Sequence, residues 1–181
     1  MKTLYLDTNI ILTRYAPDEP QHEATEKIIV EVDAGKLAAV TSVLTLVEIA
    51  SVTSRAHEKT AEASAAMKRE EIVTAFIRRV ADIQNLTFIP IGGEISIRIA
   101  EQHVKLSALL AVALEIAPRT GLKTLDNLHL ASAIVASRTY GQKIDYFATL
   151  DEEIRKRSEV VRSLINAPVL TPAELVEIEN L

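Results

Sequence analysis

The sequence predicts an α/β fold: a central, mainly parallel sheet of about five short strands flanked by helices, with a long helical extension. Two observations carry this expectation. Short runs of strand formers alternate along the chain with stretches of helical period, as successive βα units require. The chain has 181 residues, 48% hydrophobic and 25% charged, a globular composition of one-domain size. A chain of this size buries about 70% of its unfolded surface and needs no disulfide or metal staple to fold.

Residues 3–6 are strand formers, followed at once by Asp7, Thr8 and Asn9, which favour turns and helix caps. A short helix over 10–15 stops at Pro17. Residues 20–34 place Ala24, Ile28, Ile29 and Val32 on one side of an amphipathic helix, with Gly35 as its stop. Residues 37–40 read as a second strand, and Thr41 and Ser42 can cap a helix over 43–53. A long helical stretch follows over 57–84. Its second half carries Ile72, Val73, Phe76, Ile77, Val80 and Ile83 at helical spacing, while its Ala-, Glu- and Lys-rich first half has little to bury. Residues 86–91 form a third strand broken by Gly92 and Gly93, and Pro90 marks it as an edge or a strand end. A helix is expected over 95–117, ending at Pro118, and another over 124–137, capped by Thr124. Residues 144–150 read as a fourth strand, 151–157 as a short helix and 168–170 as a last short strand. Thr171 and Pro172 open a final helix through 179, with Pro at its first position.

Composition removes several function classes. There is no cysteine, which excludes thiolate zinc fingers, iron–sulfur clusters and thiol nucleophiles. Aromatic residues are 4% with no Trp, which argues against an RNA-binding surface of stacked rings. The 20 Lys+Arg against 25 Asp+Glu give a formal net charge of −5, opposite to that of a domain that coats nucleic acid. A nucleic-acid enzyme stays compatible, because local patches outweigh totals, but such a protein needs help with phosphates, for example from a metal ion. The opening MKTLYLDTNIIL is interrupted by Asp7 and lacks a small-residue cleavage pattern, so no signal peptide is expected. No apolar run approaches the ~20 residues of a membrane span. The expectation is a soluble cytoplasmic protein, one domain over 1–181, without membrane contact.

In open parallel sheets, ligands bind beyond the carboxyl ends of the strands. Four acids fall there: Asp7 after the first strand, Glu48 early in the helix after the second, Asp126 in the first turn of the 124–137 helix, and Asp151 after the fourth strand. Taken singly, Asp7 and Asp151 could be helix caps, and Asp126 gains from a helix dipole. Glu48 is harder to explain structurally. Its neighbours in VLTLVEIASV are almost all apolar, and an unpaired buried carboxylate is costly, so it should face a polar site, a partner or a metal. If all four converge, their repulsion is relieved by a divalent ion, and all-oxygen ligation points to Mg²⁺ or Mn²⁺ rather than zinc.

These residues resemble the PIN-domain family. YLDTNIIL at 5–12 is similar to its opening motif, with Asp7 as the first acid. TSVLTLVEIAS at 41–51 resembles the second motif, with Glu48; LDNLHLASA at 125–133 the third, with Asp126 and then His129; FATLDEEI at 147–154 the fourth, with Thr149 and Asp151. The resemblance covers nearly the whole chain in the expected order. It implies a metal-dependent nuclease, and among small prokaryotic members a VapC-type toxin that cleaves RNA, with tRNA or rRNA as possible targets. It also implies a cognate antitoxin and a homodimer. By resemblance Asp7, Glu48 and Asp126 hold Mg²⁺ or Mn²⁺, Asp151 completes the cluster directly or through water, and Thr8, Asn9, Thr45 and Thr149 support it by hydrogen bonds.

The chain is longer than a minimal member, and the excess is expected in the 55–85 extension and the 95–117 helix. Asp145 rivals Asp151 for the fourth acid but starts the strand that Asp151 follows, so Asp151 is preferred. His129 lies three residues after Asp126 on the same helical face and reads first as a hydrogen-bonded packing histidine, with a role near the site as the second reading. His22, His57 and His103 form no metal-binding spacing. Arg55, Lys59, Lys68 and Arg69 read as a solvated face, with phosphate contact as the second reading; Arg155, Lys156 and Arg157 pose the same choice. A dehalogenase-like phosphatase needs a general acid where Asn9 stands, and a receiver domain needs an acidic pair after its first strand. Neither a phosphate loop nor a nucleophile elbow occurs. The rivals kept are a non-catalytic PIN-like RNA- or protein-interaction module and a structure-specific DNA nuclease.

Overall fold

A computed structural model describes residues 1–60 and 68–181 of the chain. The middle of the expected 55–85 extension, residues 61–67, lies outside the described residues, as do the side chains of 57–60, including Lys59. In chain order the first half comprises β1 (Lys2–Leu6), α1 (Thr8–Thr13), α2 (His22–Asp33), β2 (Leu37–Ser42), α3 (Leu44–Thr60), α4 (Arg69–Ala81) and β3 (Leu86–Ile89). The second half comprises β4 (Glu94–Ile99), β5 (Gln102–Ser107), α5 (Ala108–Thr120), α6 (Thr124–Tyr140), β6 (Tyr146–Ala148), α7 (Glu152–Lys156), α8 (Ser158–Ile165), β7 (Val169–Leu170) and α9 (Pro172–Glu179).

Five strands form the main sheet in the order β3-β2-β1-β6-β7, with every neighbouring pair parallel. β1 lies at its centre, and its alternation divides the core. Leu4 and Leu6 pack with Ile10 and Ile11 of α1, Ile28 and Val32 of α2, and Leu175 of α9 on one face. Tyr5 and Phe147 stack at 4.9 Å on the other, against α5, α6 and α8 through Ile116, Leu130, Ile134 and Val161. Each such side chain contributes about 1.5–3 kcal/mol on burial, enough to fix the register of the central strand. β3 ends just before Pro90 at the sheet edge, where a missing donor is tolerated.

The expected helix over 95–117 is incorrect in its first half. Residues 94–107 form the antiparallel hairpin β4–β5, and α5 begins only at Ala108, where Ser107 Oγ accepts from Leu110 N at 3.3 Å. The alternation of Ile95, Ile97 and Ile99 with Ser96 and Arg98 has the strand period. α5 also runs through Pro118 to Thr120, because Pro118 sits in the last turn, where one lost backbone bond is tolerated before Gly121 ends the helix at φ +59°. The stretch expected as one helix over 57–84 contains a break: Lys68 has extended backbone (φ −71°, ψ 148°), and α4 starts afresh after it with Glu70 and Glu71 in its first turn. After the expected 151–157 helix, α8 is an additional element. Its buried Val161 and Ile165 stand one helical turn apart. No helix among the described residues is long and apolar enough to cross a membrane.

Candidate active site

The sheet winds from β1 through β2 to β3 on one side, while β6 and β7 lie on the other, so the order reverses between β1 and β6. A crevice opens at such a switch point, beyond the carboxyl ends of the strands. Leu6 is in register with Ala148, so Asp7 and Thr149 leave the sheet side by side. Asp7 N donates to Ala148 O at 3.0 Å.

Asp7 is only 6% exposed. Its Oδ1 accepts from Thr8 N at 2.8 Å, capping α1; its Oδ2 accepts from Asn9 Nδ2 at 2.7 Å and Thr149 Oγ1 at 2.6 Å. Asn9 is itself fixed, since its Oδ1 accepts from Leu150 N at 3.0 Å. Burial pushes the Asp7 carboxyl above its ordinary value, against the opposing pull of His129 and of the hydrogen bonds from Thr149 and Thr8.

Glu48 reaches the same place from α3. Its Oε2 accepts a short hydrogen bond from Thr8 Oγ1 and lies 2.6 Å from His129 Nε2. Thr8 Oγ1 stands 3.0 Å from Thr45 Oγ1, which is 2.7 Å from Thr41 Oγ1, and Thr41 donates to Leu6 O. The hydroxyl chain thus ties the carboxylate back to the central strand. Burial raises Glu48, but the hydrogen bonds from His129 and Thr8 outweigh it and hold the carboxyl below its usual range. His129 is 2% exposed. Burial pulls it down; the bond to Glu48 and the fields of Asp7, Glu48 and Asp126 prevail and raise it. A doubly protonated ring fits its surroundings, with Nε2–H toward Glu48 and Nδ1–H toward Tyr5 Oη at 3.0 Å.

Asp126, half-buried in the first turn of α6, joins through the field. Its carboxyl is raised by burial, then by Asp151, then by Asp7. Asp151 is the N-cap of α7: its Oδ1 accepts from Glu153 N at 2.7 Å and Ile154 N at 3.1 Å. Asp7, Glu48, Thr8, Asn9, Thr45 and Thr149 therefore form one hydrogen-bonded network; beside it stand the carboxyl of Asp151, engaged by the first turn of α7, and that of Asp126, near enough to Asp7 and Asp151 to be raised by both. Asp145 lies elsewhere, accepting from Thr3 N at 2.9 Å at the start of β1. Sequence reasoning gave His129 mainly a packing role and did not single out Tyr5; the spacing of His129 from Asp126 was the available signal. Beside Glu48 a groove of about 280 Å³ runs along α3 to Arg55, between Val47 and Leu125.

Among the described residues, no three His, Asp or Glu side chains stand as a ready-made metal-ligand group. The donor chemistry nevertheless fits a hard divalent ion: oxygen donors gathered at one crevice, with Asp7 and Asp126 both raised by burial and like charge.

A PIN domain family model matches residues 4–160. The chain belongs to the PIN domain family. The matched span of this PIN domain includes all four acids. No curated protein matches it in sequence. Among solved structures, the crystal structure of VapBC2 from Rickettsia felis bound to a DNA fragment from their promoter is similar, with a TM-score of 0.54 and 12% identity. The alignment covers 93% of this PIN domain and 98% of that chain, a likeness of fold.

Proposed function

We propose that this PIN domain is a Mg²⁺- or Mn²⁺-dependent endoribonuclease, the toxin half of a VapBC-type toxin–antitoxin pair acting in the cytoplasm. The observation that carries the proposal is Asp7. A buried carboxylate held by Thr8, Asn9 and Thr149 at the sheet's switch point, with Glu48 and Asp126 crowding the same crevice, is a costly arrangement that a divalent ion would stabilise. PIN domains are generally nucleases, which supports hydrolysis of a phosphodiester. The likeness to the VapBC2 structure supports a partner protein, and the family resemblance supports an antitoxin and a homodimer.

Asp7, Glu48 and Asp126 would hold the ion, with Asp151 nearby. When bound, the ion supplies positive charge to the phosphate and an activated water. Thr149 and Asn9 keep the Asp7 Oδ2 atom oriented. His129 holds a proton at Nε2 against Glu48 and fixes that carboxylate between α3 and α6. Arg55, which lines the groove beside Glu48, would bind a flanking phosphate.

The test is cleavage of a mixed tRNA and rRNA substrate with Mn²⁺, comparing the wild type, Asp7→Asn and an EDTA control. Cleavage by the metal-loaded wild type alone is expected. Equal cleavage by Asp7→Asn would overturn the site assignment, and a folded wild type that binds no Mn²⁺ and cuts nothing would leave a non-catalytic module.

A further inference from the structure

We propose that the outer edge of β4 is the surface through which two copies of this chain pair, strand against strand, about a two-fold axis at Ser96. The proposal deepens the homodimer reading above and rests on it. β4 and β5 form a two-stranded sheet separate from the main one. A two-stranded hairpin is marginal alone, and its edge strands are open to pairing.

The parity of the hairpin shows which groups its edge offers. Ile99 and Gln102 close the two-residue turn Ala100-Glu101. The closing pair of such a turn exchanges both hydrogen bonds. At the other end, Ala108 N donates to Gly93 O at 2.8 Å, which is the same parity. The N–H and C=O of Ile95, Ile97 and Ile99 therefore point at β5, and those of Glu94, Ser96 and Arg98 point outward. Among the described residues no strand pairs with that side of β4, and all three outward residues are exposed.

The edge is complementary to itself. In an antiparallel pairing centred on Ser96, Ser96 faces its own copy and Glu94 faces Arg98 of the second copy, once on each side of the axis. Every outward N–H and C=O of these residues then finds a partner, and opposite charges sit directly opposite. Moving the axis to Ile97 sets Arg98 against Ser96 and carries Glu94 beyond the strand end, so the Ser96 register is selected. The existing partners of these charges are no obstacle. Glu94 pairs with Lys105 at 2.8 Å and Arg98 with Glu101 at 3.4 Å, both at exposed positions where such pairs contribute little.

The apolar face supports the same occupant. Ile95 and Ile97 line an open groove of about 490 Å³ against α5 and α6, with Ala111 and Leu114 opposite. Ile95 is 42% exposed, Ile99 46% and Leu114 52%. In the Ser96 register Ile95 faces Ile97 of the second copy, so the apolar stripe runs on across both hairpins and less of it meets water.

The experiment is sedimentation equilibrium on the full chain, carrying either Glu94→Arg or Arg98→Glu. Each change alone sets like charges opposite each other and should weaken the dimer about tenfold or more. An equimolar mixture of the two variants should recover it, because a wholly basic edge then meets a wholly acidic one. Recovery on mixing cannot come from repair within a chain, so it reads the intermolecular pairing directly. A wild type that is monomeric at its highest soluble concentration overturns the homodimer reading and this interface together. A wild-type dimer whose single variants pair equally tightly, or whose mixture fails to recover, overturns the β4 interface and leaves the homodimer standing.

Discussion

Removing the imidazole of His129 tests how the site is held together. His129 is 2% exposed, the Glu48 side chain is 20% exposed, and Nε2 lies 2.6 Å from Oε2. Deleting one member of a buried pair costs about 3–5 kcal/mol, because the other charge is left uncompensated. Glu48 keeps partial access to water and its bond from Thr8, so His129→Gln should cost about 2–3 kcal/mol. Glu48→Gln should cost less, since a buried histidine without its anion sheds its proton. The double variant should cost less than the sum of the two, with a coupling of about 1–2 kcal/mol. The assay is urea unfolding followed by circular dichroism, compared through midpoints at constant slope.

The pH dependence of that coupling has a defined sign. His129 is raised above 6.5 in the folded chain, so its contribution is complete below 6.5 and is lost as pH rises through the raised value. Glu48 is held below 4.5, so its contribution is complete above 4.5 and is lost as pH falls through the lowered value. The coupling should therefore be greatest between 4.5 and 6.5 and fade on the alkaline side. A cost for His129→Gln below about 0.5 kcal/mol in that window, or a coupling indifferent to pH, would refute the pairing.

Asp151→Asn keeps the cap of α7 and removes the charge, so its melting temperature should hold while cleavage falls; Asp151→Ala should in addition lose about 1 kcal/mol of stability. Thr149→Val removes the Oγ1 donor from Asp7 and should lower cleavage or Mn²⁺ affinity about tenfold, read by RNA cleavage and calorimetric titration; unchanged values would remove Thr149 from the site. Ala100 sits at φ +52° in the β4–β5 turn, so Ala100→Gly should raise stability by about 1 kcal/mol, and a lower melting temperature would contradict that strain.

Most of the main sheet was legible because its strands are short apolar runs punctuated by Asp, Gly or Pro, and all five strands of that sheet lie where the runs are. The acids after β1 and β6 were legible for a topological reason: a parallel sheet sends residues at its strand ends to one edge. Glu48 stood out because its neighbours are apolar, and its partners turned out to be Thr8 and His129. His129 itself was obscured by its surroundings. α6 buries Asn127 and His129 through Ala136, so a histidine bonded to Glu48 looked like one more core residue. The β4–β5 hairpin was missed because Ile95, Ile97 and Ile99 were absorbed into the apolar run of α5, although their period of two was present. The restart of α4 at Lys68 was hidden by the helix-forming composition on both sides, which gives no breaker at the position where the backbone turns.

A metal ion at the crevice would be seen most directly in a crystal of this chain soaked in Mn²⁺ and measured for anomalous scattering. A peak is expected at the ends of β1 and β6, bounded by Asp7 and Asp126, that disappears in Asp7→Asn. A peak elsewhere, or none at saturating Mn²⁺ in a crystal that leaves the crevice open, would rule out a metal held by Asp7 and Asp126.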